Sequence, residues 1–230
     1  MDAVDWHQQL GRRFEEGYER SRAFRERLEV WSDLIRSYSA PGADVLDAGC
    51  GPGVLAGIAA RMNRSVHGFD ASSEMVALAR ARAGREQIAN ATFEVASLGD
   101  PQLLAGRTFG LVLCSSVLEY IADIDTALDW LAARTTDGGV FILSLPNGRS
   151  LYRRAERLVF GLIGRPRYYA HVRHTPLPET VDALLERRGF LIEARHSYAG
   201  TPLISAPARR IGLAQYADNL LVAAARKGRR

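Results

Sequence analysis

The sequence predicts an α/β fold: one doubly wound sheet of seven strands, mostly parallel with an antiparallel edge strand, covered by helices on both faces. Three observations carry this. Short apolar runs alternate with helix-length stretches from Gly42 onward, and strands joined by helical crossovers form parallel sheets with both faces covered. The first run passes into the next helix through the glycine-rich turn "DAGCGPG". The last two runs, "FLIEARHSY" and "NLLVAAAR", follow one another across the long connection "AGTPLISAPARRIGLAQYAD", as in an antiparallel edge hairpin.

Each element has its own signal. Up to about Tyr38 the chain is helical, because Phe24, Leu28, Trp31 and Ile35 recur at three- and four-residue steps with Arg and Glu between them. Pro41 and Gly42 end that segment. "DVLDAG" reads as a strand, "GVLAGIAARM" as a helix and "SVHGFD" as the second strand. "SSEMVALARARA" is a helix with Ser72 or Ser73 as N-cap and Glu74 in its first turn. "ATFEVA" and "TFGLVLCSS" are the third and fourth strands, and "DIDTALDWLAART" is a helix closed by the turn "DGG" before the strand "VFILSL". "PETVDALLERRGF" is a helix with Gly189 just past its end.

With 230 residues, 47% of them hydrophobic, the chain can bury one sizeable core. It divides into a helical cap over 1–40 and a sheet-bearing body over 41–230, with an insertion at about 147–177. The first residues are charged and lack an apolar signal core, and no apolar run approaches the roughly 20 residues that span a bilayer. Cys50 and Cys114 are too few for a disulfide framework and fit a reducing, cytoplasmic setting. The formal charge of +4 is mild, but its basic excess is concentrated in the insertion.

The glycine turn lies where open parallel sheets bind ligands, outside the carboxyl ends of their strands. Gly49, Gly51 and Gly53 permit positive φ and close backbone approach, and the following helix start offers N–H groups to an anion. No Lys-Ser/Thr pair follows, so a phosphate loop of the GxxxxGK[ST] kind is excluded. The spacing is GxGxG with Pro52 inside it, rather than GxGxxG. Asp47 closes the first strand, and Asp70 closes the second, where it can accept hydrogen bonds from two ribose hydroxyls.

Here the chain resembles the class I S-adenosylmethionine (SAM)-dependent methyltransferases, whose fold is Rossmann-like. "VLDAGCGPG" is similar to their first motif and "FDAS" to their ribose-binding acidic position. "FGLVLCSSVLEYIAD", "GGVFILSLPN" and "LLERRGF" resemble their fourth-strand, fifth-strand and pre-sixth-strand segments. The resemblance runs from about Pro41 to Arg226, with five motifs in family order. It implies SAM as cofactor, its carboxylate on the loop N–H groups and its amine held by Asp47 directly or through water. By the same resemblance the cofactor site includes Gly49, Cys50, Gly51, Gly53, Asp70, Ala71, Met75, Ser97, Leu98, Cys114 and Ser115. Two family positions differ. Ser97 stands where many relatives place an Asp near the adenine, with Asp100 or the Leu98 backbone as substitutes, and Gly110 replaces the Asp of the usual Phe-Asp pair.

Methyl transfer from a sulfonium is a direct displacement in which orientation alone contributes roughly 7–11 kcal/mol. The protein therefore needs a pocket, plus a base where the acceptor is an undissociated phenol or amine. Nucleic acid is not the expected acceptor: "CSSV" stands where base-methylating relatives carry an Asn/Asp-Pro-Pro-aromatic stretch. "LCSSVLEYIAD" followed by "LPNGRS" is most similar to the ubiquinone-pathway O-methyltransferases, which implies a hydroxyl on an aromatic or quinol-type compound. That branch often ends its fourth motif Glu-His; here it reads Glu119-Tyr120, and no metal site is expected. Rival readings are N- or C-methylation of a biosynthetic intermediate, an NAD(P)-linked oxidoreductase, and a membrane-surface protein without catalysis.

The insertion covers the transfer site in relatives. Leu151, Ala155, Leu158, Val159 and Leu162 share one helical face, with Arg153, Arg154 and Arg157 off it. Such a helix either closes over the domain's own pocket or lies on an anionic membrane through 149–173. His171 and His174, with Tyr168 and Tyr169, form the candidate acid–base cluster beside Glu119 and Tyr120. Tyr18, Arg22 and Arg25 are expected to close the other side of the pocket. The sequence leaves the oligomeric state open.

Overall fold

The structure, a computed structural model, describes residues 21–163 and 167–229. Tyr18 and the rest of the cap's first half lie outside the described residues, as does Arg165 of the insertion. Helix α1 (Arg22–Tyr38) precedes β1 (Asp44–Ala48), α2 (Val54–Ala60), β2 (Ser65–Asp70), α3 (Ser73–Arg85), β3 (Ala91–Val95) and β4 (Phe109–Ser115). Then come α4 (Ile124–Arg134), β5 (Thr135–Pro146), α5 (Leu151–Ile163), α6 (Pro178–Glu186) and β6 (Phe190–Tyr198). The chain closes with α7 (Pro202–Arg210), α8 (Ala214–Ala217) and β7 (Leu220–Lys227).

The seven strands form one sheet in the order β3-β2-β1-β4-β5-β7-β6. All pairs from β3 to β5 are parallel. β7 runs antiparallel between β5 and β6, which makes the edge pair antiparallel as expected. The long connection before β7 is not bare loop: it holds α7 and α8. The expected turn at Asp137–Gly139 is drawn into β5, where Gly138 takes φ +76° and the register with β4 shifts between Phe109 and Leu111.

Side-chain alternation splits the core in two. Leu46, Ala48, Val112, Phe141 and Leu143 face α4 and α6, which return Leu128, Leu131, Val181 and Leu185. Val45, Leu111, Leu113, Ile142 and Val222 face the other way, toward Trp31 and Ile35 of α1, Leu55 and Ala59 of α2, and Val76 and Ala79 of α3. Each central strand is therefore apolar on both faces, which is why these runs read as continuous apolar stretches.

Helix α1 earns its place through one stripe: Trp31, Leu34 and Ile35 are buried while most of its other residues are half-buried or exposed. The Trp31 indole N–H donates to the Tyr198 hydroxyl at 3.2 Å, tying α1 to the end of β6. Both side chains are fully buried. Trp31→Ala is expected to cost about 3–5 kcal/mol of unfolding free energy. Tyr198→Phe, which removes only that acceptor, should cost about 1–3 kcal/mol. Denaturant unfolding followed by circular dichroism checks both, and equal losses would contradict this packing.

Candidate active site

Strand order reverses at β1, which has β2 on one side and β4 on the other, so a cleft opens above its carboxyl end. There the structure holds a chamber of about 400 Å³. Its walls come from the turn after β1, the tips of β2, β3 and β4, the first half of α1, and Arg153 of α5.

The glycine turn is built as its sequence demands. Gly49, Gly51 and Gly53 have φ of +72°, +51° and +76°. A Cβ on Gly49 would stand 2.2 Å from Val117 Cγ2, and one on Gly53 would stand 2.9 Å from Ala79 Cβ, whereas Gly51 faces open space. Asp70 braces the turn from the tip of β2: its carboxylate accepts from Gly51 N–H and Ser72 N–H, both at 2.9 Å. Ser72 is the N-cap of α3, its hydroxyl accepting from Met75 N–H. Each carboxylate oxygen of Asp70 keeps a further lone pair for a ligand hydroxyl.

Asp47, beneath the turn, is 1% exposed, and its Oδ2 has no hydrogen-bond partner. Burial, with the Asp70 charge second, pushes its carboxyl up to about 7, against a hydrogen bond from Ala56 and the nearby Arg27 guanidinium. A buried carboxylate left this way is a receptor for a cation such as an amine. It opposes a pyrophosphate, so the chemistry of the chamber argues against a dinucleotide.

The expectation that bare loop N–H groups receive a carboxylate is corrected. Gly49 and Cys50 N–H both donate to Phe69 O (2.8 and 2.9 Å), Gly51 donates to Asp70, and Gly53 donates to Cys50 O (3.0 Å). The cation that reaches this end of the chamber is Arg27, whose Nη2 donates to Ser115 Oγ at 2.7 Å. The sequence reading missed it and named Arg22 and Arg25, neither of which lines the chamber. Its signal was present: Arg27 precedes Trp31, Leu34 and Ile35 on their stripe at helical spacing.

On the β3 side, Ala71, Met75, Ser97 and Leu98 line the chamber as the sequence predicted, with Met75 buried. Asp100 does not reach it; its carboxylate accepts from Gln102 N–H. Cys50 lines the wall, but Cys114 and Gly53 do not. Cys114 alternates with Leu113 and so points into the α4 side of the core, while Gly53 is spent on the tight start of α2 against Ala79.

On the β4 side the strand ends at Ser115, and Ser116 takes φ +56°. This turns the chain into a short 3-10 helix, Leu118–Tyr120, that brings Glu119 and Tyr120 to the wall. Glu119 is 3% exposed, with its Oε2 lacking a partner. Burial pushes its carboxyl up to about 7, moderated by Arg27 and Arg153.

The histidines have a different role from the one expected. His174 lies outside the lining, and its Nε2 is 2.9 Å from Ile121 O, so it donates there as a fastener. The N–H groups of Arg173 and His174 both donate to Glu119 O, at 2.7 and 3.3 Å. His171 ends the 3-10 helix Arg167–His171 and also lies outside the lining. Tyr169 stacks on Phe160 at 5.4 Å. Helix α5 is also reversed from the pocket-covering reading. Arg153 and Glu156 pair at 3.0 Å with side chains 13% and 14% exposed, while Leu151, Leu158 and Leu162 are 60%, 72% and 83% exposed. The polar pair is anchored inward because Arg153 also donates to Asn219 O, at 3.3 Å. Among the described residues, no three His, Cys, Asp or Glu side chains converge as a metal-ligand set.

Residues 19–194 match the family described as "methyltransferase domain". The chain belongs to the methyltransferase domain family. The resemblance read from the five motifs is borne out at that level. Over 166 residues the chain is 30% identical to a protein named ubiquinone biosynthesis O-methyltransferase from Sinorhizobium fredii, covering 70% of this chain and 65% of that one. It thus spans just under two thirds of that relative's length. Among solved structures, magnesium protoporphyrin IX methyltransferase from Synechocystis with bound SAM superposes with a TM-score of 0.70, at 18% identity, covering 98% of this chain and 95% of that one. An N-methyltransferase from Bradyrhizobium japonicum, in complex with S-adenosylhomocysteine, gives 0.66, also at 18% identity, covering 91% and 90%. At these identities the likeness is one of fold.

The buried carboxylates of this chamber oppose the stability of the fold that holds them. A folded-state carboxyl raised to about 7 holds a proton that the unfolded chain has already lost, so stability falls as pH rises from about 4 to about 7. Asp47→Asn is expected to raise the ligand-free melting temperature at pH 8 by roughly 2–4 °C per kcal/mol relieved. It should also flatten the acid-side slope. A lower melting temperature at pH 8 would contradict the assignment.

Proposed function

We propose that the chain transfers the methyl group of SAM to a hydroxyl of a small aromatic or quinol-type acceptor, with Glu119 taking the proton. The observation that carries this reading is Glu119 itself. It is a buried carboxylate with a free oxygen, held near neutral pKa, on the wall of the chamber that Asp47 and Asp70 also line.

When bound, SAM supplies an electrophilic methyl group on a sulfonium that departs as a neutral thioether. The residues present fit it. Asp47 would receive the α-amine, a cation that relieves the cost of its burial. Arg27 would receive the α-carboxylate, and Asp70 the ribose hydroxyls through its spare lone pairs. Met75, Ser97 and Leu98 would flank the adenine. The acceptor would then lie on the β4 side, where Tyr120, Glu119 and Arg153 line the chamber. A phenolic hydroxyl ionises near pH 10, so a base of pKa about 7 makes it a stronger nucleophile without itself being mostly protonated above neutrality. A raised pKa tuned by burial is what such a role needs. His174 is committed to Ile121 O and is left out of this role. The name of the S. fredii relative supports the hydroxyl acceptor.

Two outcomes are expected. Asp70→Ala raises the dissociation constant for S-adenosylhomocysteine at least tenfold, about 1.4 kcal/mol, read by calorimetry; unchanged affinity means the ribose lies elsewhere. Glu119→Gln leaves that affinity within a few-fold but lowers turnover by roughly 10²–10⁴. In the parent enzyme turnover with a phenol or catechol acceptor climbs through about pH 7 and then levels, because the base must be deprotonated. That limb should vanish in the Gln variant, and mass spectrometry of the product identifies the methylated atom. A variant that keeps both the rate and the limb rules Glu119 out as the base.

A further inference from the structure

We propose that α5 and α7 together form a docking surface for an anionic lipid bilayer. The first observation is the direction of α5. Its inward face carries Arg153, Glu156 and Phe160, all half-buried, and its outward face carries Leu151, Leu158 and Leu162, each at least 60% exposed. An amphipathic helix normally buries its apolar stripe in the core; this one turns it to the outside. Arg154 and Arg157, both exposed, flank the stripe.

The second observation is independent. α7 and the residues after it expose Leu203 (88%), Ile204 (60%) and Ile211 (70%), with Arg209 and Arg210 among them. The two helices are joined into one surface by α8, which packs against both. Arg149, just ahead of α5, donates to Gln215 Oε1 at 2.7 Å and lies over the Tyr216 ring at 5.8 Å. Isolated exposed leucines need no explanation, whereas apolar sets flanked by charge on two helices that share one packing partner mark an interaction site.

Charge selects the occupant. Residues 147–177 and 199–217 contain nine arginines and one glutamate, against 30 Lys+Arg and 26 Asp+Glu in the whole chain, so the remainder is net negative. The single glutamate, Glu156, is turned inward on Arg153. Arg149 is paired with Glu179, and Arg209 with Glu26 and Asp218, but a second copy seated here would still press exposed Arg154, Arg157 and Arg210 against their counterparts. Anionic headgroups answer the exposed Arg154, Arg157 and Arg210, while the leucines enter the acyl boundary and the long arginine side chains reach back to the headgroups. Arg153 on the opposite face of α5, and Leu220 just after α8, line the chamber. An acceptor dissolved in the bilayer therefore arrives beside the site.

The test is co-sedimentation of the full chain with vesicles, which reads no methyl transfer, so its failure leaves the proposed reaction standing. At about 0.1 M salt, the chain is expected to pellet with phosphatidylglycerol vesicles and to stay in solution with pure phosphatidylcholine. L158E/L162E and L203E/I204E should each release it, and Arg154→Gln and Arg157→Gln should each weaken partitioning roughly fivefold. All of these side chains are exposed, so melting temperature and S-adenosylhomocysteine affinity should hold in every variant. A parent chain that stays in the supernatant overturns the proposal, as do variants that pellet as well as the parent. So does a dimer in light scattering that L158E/L162E splits, which would make a second copy the occupant.

Discussion

A carboxylate buried beneath the glycine turn, with a donor from Ala56 of α2 and one oxygen left without a partner, is the constraint around which this molecule is arranged. Asp47 has a fixed place because it closes a strand hydrogen-bonded on both sides, between β2 and β4. The turn above it must rise steeply to leave a chamber, and left-handed glycines do this where a side chain would strike Val117 or Ala79. Asp70 then holds the turn in shape from the neighbouring strand. Unpaired buried charge opposes folding, and it persists here where a ligand cation can complete it. Stability and binding are thus set against each other at one residue.

The fold was largely legible because its signals are periodic. Continuous apolar runs, helix-length stretches between them and a glycine turn after the first run specify the parallel part of the sheet, and the chamber's Asp47 and Asp70 follow from strand ends, with Met75 on the helix after the second strand and Ser97 just past the third. What escaped was whatever depends on direction rather than on spacing. Cys114 and Ser115 are adjacent in the sequence, yet pleating sends one into the core and leaves the other at the chamber. The periodicity of α5 marked an apolar face without saying which way it points, and the inward pair Arg153–Glu156 decided that. The glycine-turn N–H groups seemed available because the sequence does not show Phe69 O or Asp70 closing on them. Arg27 was overlooked because a single cation on an apolar stripe reads as an interruption.

The insertion and the turn that carries Glu119 are linked through that turn's main-chain carbonyls. Arg173 and His174, at the insertion's return to the body, both donate to Glu119 O, and the His174 ring holds Ile121 O. The main chain that presents the Glu119 carboxylate is therefore held by the insertion. A displacement of that segment would be felt at the carboxylate through two hydrogen bonds, with no side chain of the insertion having to touch the reacting atoms.

The placement of β7 between β5 and β6 has a bearing on how the sheet assembles. During synthesis β6 emerges before β7, with no strand beside it to pair with, and β5 likewise waits with one side open. Both edges stay unpaired until some twenty residues of α7 and α8 have followed. Exposed strand edges recruit other chains. A nascent chain of this protein is therefore most vulnerable to misassociation in the interval between translation of Tyr198 and translation of Leu220.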